Sequence, residues 1–220
     1  MNALSLDTAT EVLALAAMRD DSWATLCVRR GLQHSPALLP LADRLLAELE
    51  MRVSDLHVIV CSLGPGSFTG IRIGLATAMG IGEGRHIPVV GVSTLDAAAD
   101  AGKSYPGDLF PVIDARKGRI YTARYRGGER QGDYQDVHPA DLARLLAESL
   151  QPMLAGPDAA RIRGLLGNAW QELPVMDVVD PRSLLRLGIE RYNRNGADGT
   201  ALVPLYLRKS EAELMSGRRQ

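Results

Sequence analysis

The chain states one pattern twice, and few folds accommodate that. "ALSLDTATEVLALAA" near the start and "LFPVIDARKGRIYTARY" past the midpoint both read as strand, aspartate, polar turn, strand. Asp7 and Asp114 end the first strand of each copy. Short apolar runs broken by polar turns predict a hairpin in each half. The segments after each hairpin also repeat. In the first half "WATLCVRR" reads as a third strand and "SPALLPLADRLLAELE" as a helix, with Ser35 as N-cap and Pro36 at the first helical position. "LHVIVCSL" is a buried-type strand, a Gly-rich turn leads to a helix over residues 69–83 with Gly84 as its stop, and "IPVVGV" and "STLDAAADA" supply a last strand and helix. In the second half "DYQDV", "PADLARLLAESL", "QPMLAG" and "DAARIRGLLG" continue in the same order, and "PRSLLRLGIERYNRNG" closes as a helix with its own Gly stop. The order is an internal duplication of a βββαβα unit.

Two such lobes, each bringing an Asp-bearing hairpin to a shared cleft, predict an α/β protein of two-lobed ASKHA (actin/Hsp70/hexokinase-like) architecture. A single doubly wound sheet is the alternative, and the hairpin-first order of both halves argues against it. "SYPGD" marks a boundary, so residues 1–103 are expected to form the first lobe, 104–210 the second, and 211–220 a flexible charged tail.

Composition excludes several classes of function. A net charge of -1 supplies no global field toward nucleic acid or an anionic membrane. The start "MNALSLD" lacks a basic segment and is not expected to be a signal peptide, and no apolar run approaches the roughly 20 residues that span a bilayer. Cys27 and Cys61 stand apart within strands, which argues against a zinc site or a disulfide framework and for a reducing cytoplasm.

The stretch "SLGPGSFTGIRIG" invites a phosphate-binding reading, which fails on particulars. A Walker loop needs lysine after its last glycine; here Ile71 and Arg72 follow Gly70, and Lys103, Lys117 and Lys209 lie elsewhere. A dinucleotide fold needs an acid at the end of the next strand, where "IPVVGV" has none. A geometric role remains: Gly64 and Gly66 can take positive φ around a stiff Pro65, and the helix start still offers N–H groups to an anion. The helix itself carries Gly70, Gly74, Ala76, Ala78, Gly80 and Gly82. Glycine costs a helix about 1 kcal/mol against alanine, so such a helix makes sense only where other backbones come very close. In the helix before it, Leu38, Ala42, Leu45 and Leu49 form one apolar stripe that Leu39, Leu41 and Leu46 widen. That width fits either a helix sandwiched in its own lobe or a surface offered to another chain.

Catalytic constellations are sparse. His34 would need a histidine at position 38 for metal spacing and finds Leu38, which leaves it a capping or interface role. Neither HExxH nor Gly-x-Ser-x-Gly occurs, and no metal-binding set is expected. Asp7, Thr8, Thr10, Asp114 and Gly118 sit where a cleft nucleotide would be held, and the same aspartates can equally tie their own turns. The first turn has Ala9 where a phosphate-wrapping hairpin needs glycine, and the second has Arg116 and Lys117, read as solvated. Gly156-Pro157 is a weak adenosine-corner signal, and the arginines of "DARKGRIYTARYRGGER" are a weak hint of RNA contact.

Taken together, "LSLDTAT", "HSPALLPLADRLL", "SLGPGSFTGIRIGLATAMG", "IPVVGVSTLDAAA", "PVIDARKGRIYTARY" and "PLYLRK" resemble the bacterial TsaB (YeaZ) family of tRNA threonylcarbamoyladenosine biosynthesis proteins, in order and over nearly the whole chain. The resemblance implies an ASKHA fold and a cytoplasmic, non-catalytic subunit. That subunit would bind the paralogue TsaD directly, with TsaE in the same complex, for transfer of a threonylcarbamoyl group from threonylcarbamoyl-AMP to N6 of the adenosine 3' to the tRNA anticodon. It implies pairing through the first two long helices, here with His34, Leu38, Leu39, Ala42, Leu45, Leu46, Gly70, Arg72, Gly74, Thr77, Ala78 and Ile81 at the interface, and a homodimer when the partner is absent. It also implies no tightly bound cofactor here, ATP/Mg and a metal belonging to the partner subunits, and at most indirect contact with tRNA. A free-standing ATP-dependent kinase or ATPase, and a peptidase acting on the partner, are the rival expectations.

Overall fold

The computed structural model describes residues 1–29, 31, 34–173, 178–199 and 202–208; the expected tail at 211–220 lies outside them. The first half runs β1 (Asn2–Asp7), β2 (Val12–Arg19), β3 (Ser22–Arg29), α1 (Ser35–Ala47), β4 (Val58–Ser62), α2 (Phe68–Arg85), β5 (Val89–Val92) and α3 (Thr94–Asp100). The second runs β6 (Leu109–Arg116), β7 (Arg119–Thr122), β8 (Tyr125–Arg126), β9 (Glu129–Arg130), β10 (Gln135–Val137), α4 (Pro139–Ala147), β11 (Met153–Ala155), α5 (Ala159–Leu165), β12 (Gln171–Glu172) and α6 (Pro181–Asn195).

The two sheets have one topology. The first has the order β3-β2-β1-β4-β5 and the second β10-β7-β6-β11-β12, with the small β8–β9 hairpin branching off β6. In each, an antiparallel three-strand meander is extended by two parallel strands. The repeated pattern of the sequence is therefore a repeated sheet.

Side-chain alternation along β1 distributes the first core between two faces. Leu4 and Leu6 point to α1 and α2, joining Leu38, Ala42, Leu45, Leu46, Leu75 and Ala78. Ala3 faces the other way, toward α3 and α6, in a layer with Val58, Val60, Leu184 and Leu185. The position of α6 corrects the lobe boundary drawn at 104–210. This helix belongs in sequence to the second half but packs on the first sheet, and Gly188 lets it settle where a Cβ would lie 2.3 Å from Val60. No local pattern announces this return, because an amphipathic helix carries no label for the sheet it will cover.

Helix ends correct two further expectations. His34, not Ser35, occupies the N-cap position of α1, and Pro36 falls in the first turn. Gly84 does not stop α2, which continues to Arg85 and ends on His86 in the left-handed region, φ 55°. Ser67 caps the start of α2 by accepting from the Gly70 N–H. Among the described residues, no helix is long and apolar enough to cross a membrane.

Candidate functional site: a tied cleft and a two-faced helix

The two Asp-bearing hairpins meet at a cavity of about 910 Å³ between the lobes, lined among others by Thr10, Glu11, Ser67, Asp114, Arg116 and Tyr206. Asp7 does not line it. The carboxylate is 1% exposed; its Oδ1 accepts from the Ala9 N–H (2.9 Å) and the Ser62 hydroxyl (2.8 Å), tying its own turn. Burial pushes the Asp7 carboxyl above the usual carboxylate range, against the lowering effects of those two hydrogen bonds and of His34. Thr8 is equally enclosed, and its hydroxyl donates to the Gly70 carbonyl at 2.7 Å. Asp7 and Thr8, the candidate nucleotide-holding pair, do not line the cavity, and Asp7 ties its own turn, the other role its sequence leaves open. Asp7 and Thr8 are drawn into the base of α2, while Ala9, Thr10, Glu11 and Val12 stay at the cavity wall.

Asp114 does reach the cavity, where it is engaged by cations. Arg161 donates to it, Arg116 pairs with it at 3.5 Å, and its own N–H donates to Asp158 at 2.8 Å. Burial, followed by the proximity of Asp114 after a hydrogen-bond offset, raises the Asp158 carboxyl. Arg116 is exposed, as expected from sequence, and it also donates across the cleft to Glu11 at 2.5 Å, joining the tips of the two hairpins. Arg116, Lys117 and Gly118 all have positive φ, which folds this turn back toward its counterpart. The other arginines of the basic hairpin are committed too. Arg119 pairs with Asp136, and Arg124 and Arg126 pair with the buried Asp108. Burial alone would raise the Asp108 carboxyl; the Arg126 hydrogen bonds, the Leu150 N–H and Arg124 hold it below its usual range.

The Gly-rich turn is explained by what lies against it. Gly64 has φ +89°, whereas Gly66 has no positive φ and is needed for proximity. A Cβ on Gly66 would lie 2.2 Å from the Ala9 carbonyl oxygen, and one on Gly70 2.0 Å from that of Thr8. The Ser67 N–H donates to the Ala9 carbonyl at 2.7 Å. The turn therefore grips the first hairpin. Further along α2, Gly74 meets Thr8 and Gly82 meets Val89. Gly70, Gly74, Ala78 and Gly82 recur every fourth residue and form the buried row of the helix.

The opposite row, also four residues apart, is Arg72, Ala76, Gly80 and Gly84, and all four are exposed. Gly80 and Gly84 have nothing within 4 Å of a would-be Cβ. Met79 on α2 and Leu39 on α1 are exposed by 40% and 51%. Of the residues expected at a partner interface, Leu39 and Arg72 are exposed, and Thr77 and Ile81 are half-buried. His34, Leu38, Ala42, Leu45, Leu46, Gly70, Gly74 and Ala78 are buried inside the chain's own first lobe. Most of the apolar width of α1 serves its own sheet, while Leu39 stays on the outside. His34 does not cap with its side chain; Nε2 lies 2.8 Å from the Thr10 carbonyl oxygen, holding the far side of the hairpin turn.

Sequence reasoning missed three contacts. Phe68 and Tyr206 stack at 4.6 Å, with the Arg72 guanidinium 3.9 Å over Phe68. Asp96 on α3 accepts from Tyr125 and Tyr134 of the second lobe, and burial together with that carboxylate raises both phenols. Glu11 bridges to Arg116. Each joins residues far apart in the chain, and only "PLYLRK", which holds Tyr206, left a trace as a motif.

Fold and cleft together define a two-lobed ASKHA protein. Residues 30–146 match the family model described as TsaD: tRNA N6-adenosine threonylcarbamoyltransferase. The chain is 34% identical to the tRNA threonylcarbamoyladenosine biosynthesis protein TsaB of Bacillus subtilis, over 97% of this chain and 96% of that protein. Identity to TsaB of Escherichia coli is 31%, over 79% of this chain and 74% of that protein. A crystal structure from Pseudomonas aeruginosa, of an uncharacterized protein with similarity to peptidase YEAZ, superposes with a TM-score of 0.81 at 26% identity, covering 94% of this chain and 99% of that one. The chain belongs to the TsaB family of tRNA threonylcarbamoyladenosine biosynthesis proteins.

Proposed function

We propose that this protein is a non-catalytic subunit in tRNA threonylcarbamoyladenosine formation. It binds the paralogue TsaD through the outward face of α1 and α2, in a complex that includes TsaE. There it organises TsaD for transfer of the threonylcarbamoyl group from threonylcarbamoyl-AMP to N6 of the adenosine 3' to the anticodon. The observation that carries this reading is the pair of exposed helical glycines. Among the described residues Gly80 and Gly84 have open space around them, so no described neighbour requires them. Gly80, in the helix interior, costs about 1 kcal/mol against alanine. A second helix backbone approaching Arg72, Ala76, Gly80 and Gly84 supplies the missing reason, with Leu39 and Met79 as flanking apolar contacts.

The tied cleft supports the same reading. Asp7 is spent on its own turn, Asp114 is held by Arg116 and Arg161, and Glu11–Arg116 spans the hairpin tips. On this reading the chain holds no cofactor tightly, and ATP, magnesium and a metal belong to the partner subunits. When TsaD is absent, the same face pairs with a second copy. Contact with tRNA is indirect, because the basic hairpin's arginines are paired within the chain. The cytoplasm is the proposed compartment.

Size-exclusion chromatography with light scattering tests the reading, on this protein alone and mixed with TsaD of the same organism. A defined hetero-complex is expected, abolished by Gly80→Arg and retained by Arg144→Glu on α4 of the second lobe. Separate elution of the two unmodified proteins at micromolar concentration overturns it. Tight binding of Mg-ATP by the isolated chain, lost on Asp114→Ala, would instead favour a free-standing kinase or ATPase.

A further inference from the structure

The lobes touch on two sides of the cleft, and the two sides are built differently. On one side α3 packs directly on β6, and Asp96 is hydrogen-bonded to Tyr125 and Tyr134. That joint is broad and largely buried. On the other side, the contact is a short run of chain after α6.

This run is anchored step by step. Asp198 is fixed to the edge of β5: its N–H donates to the Val89 carbonyl and its carboxylate accepts from the Gly91 N–H. Leu202 is buried in the first-lobe core. The Leu205 N–H donates to the Leu63 carbonyl at 2.7 Å, at the end of β4. Tyr206 stacks on Phe68 and accepts from Arg72 Nε at 2.9 Å, both residues of the first turns of α2. The next residue changes lobes. Leu207 packs against a buried cluster made of Ile113, Ala115 and Tyr121 of the second lobe with Leu95 of α3. Arg208 donates to the Ala115 carbonyl at 3.4 Å. Leu205, Tyr206, Leu207 and Arg208 all line the cleft cavity.

We propose that residues 202–208 form a releasable strap. Latched, it sets the angle between the lobes and orders the first turn of α2; released, it lets the lobes part about the α3–β6 joint. Three features of the geometry point there. The strap grips both lobes within adjacent residues, so it transmits lobe separation directly to Tyr206. Among the described residues its second-lobe grip is small, consisting of one apolar side chain and one long hydrogen bond. A link beside it, Glu11–Arg116, joins side chains that are 51% and 57% exposed, and such pairs hold weakly. Through Phe68 and Arg72, the state of the lobes would then reach the start of the exposed row of α2.

Electron–electron distance measurement on the isolated chain tests this, apart from any partner, so its failure and that of the partner reading are distinguishable. Spin labels are placed at Asp43→Cys on α1 and Arg144→Cys on α4, in a Cys27→Ser background; Cys61 is buried. A narrow distance distribution is expected both for the full chain and for one ending at Arg208. Tyr206→Ala with Leu207→Ser is expected to lengthen or broaden it, and to raise amide exchange in residues 69–73 about tenfold while leaving α4 unchanged. Tyr206 is 38% exposed, so Tyr206→Ala alone keeps the fold and is expected to show the same exchange change if the double variant does not fold. An unchanged distribution and unchanged exchange in either folded variant overturn the proposal.

Discussion

The two rows of α2 carry similar small residues and serve opposite ends. On the inner row, Gly70 and Gly74 are small because the β1–β2 turn occupies the space where their Cβ atoms would be. On the outer row, Gly80 and Gly84 are small with none of the described residues beside them. The inner row is accounted for by this chain's own packing, and the outer row is not. A glycine in a helix is thus informative only once its surroundings are known. It records a close approach where an atom is already present, and a demand from outside where none is. The inner contact also bears on the cleft: Thr8 packs into the helix base together with Asp7, behind the stretch from Ala9 to Val12 that lines the cavity.

The sharpest way to break this comparison is substitution at Gly70. Gly70→Ala drives a methyl into the Thr8 carbonyl and is expected to cost about 3 kcal/mol, read as a fall in the urea midpoint. A cost below that of an ordinary surface change would mean the two rows do not differ. The next largest effect has the opposite sign. Gly80→Ala is expected to stabilise the isolated chain by about 1 kcal/mol in the same measurement while weakening association with TsaD. Thr8→Val removes the hydroxyl that donates to the Gly70 carbonyl, for a loss of about 1 kcal/mol, and leaves the outer row's association unchanged in light scattering.

The smallest effect is in pH dependence. The folded pKa of Asp7 is raised above the unfolded value of about 3.9, chiefly by burial. Its stabilising contribution is therefore complete below about pH 4 and is lost as pH rises through the folded value. Asp7→Asn is expected to flatten that part of the stability curve above about pH 4, measured by urea unfolding at several pH values. A slope identical to that of the unmodified chain would place the Asp7 carboxylate in water after all.

Much of the fold was legible because it rests on local periodicity. The strand–Asp–turn–strand repeat at residues 3–17 and 109–125 marked both hairpins, and short apolar runs marked β4, β5 and β11. The site was less legible. Which side of α1 is buried cannot be read from a stripe wide enough for two partners, and Leu38, Ala42, Leu45 and Leu46 proved to belong to the chain's own sheet. The charges of the second hairpin gave no sign of their partners, since Arg116 reaches Glu11 across 105 residues of sequence. Nor did α6 announce that it returns to the first lobe.

Sequence by itself determined the duplication, the two sheets, the place of each Asp-bearing turn and the abundance of small residues in α2. These depend on dihedral preference and on the period of apolar side chains, both properties of neighbours in the chain. Tertiary structure alone decided that Asp7 is enclosed, that Arg116 closes the cleft and that one row of α2 is spoken for while the other is open. Those outcomes depend on which distant atoms arrive within a few ångströms. Burial and hydrogen bonding act through space, so a residue's chemical role is settled by its neighbours in three dimensions.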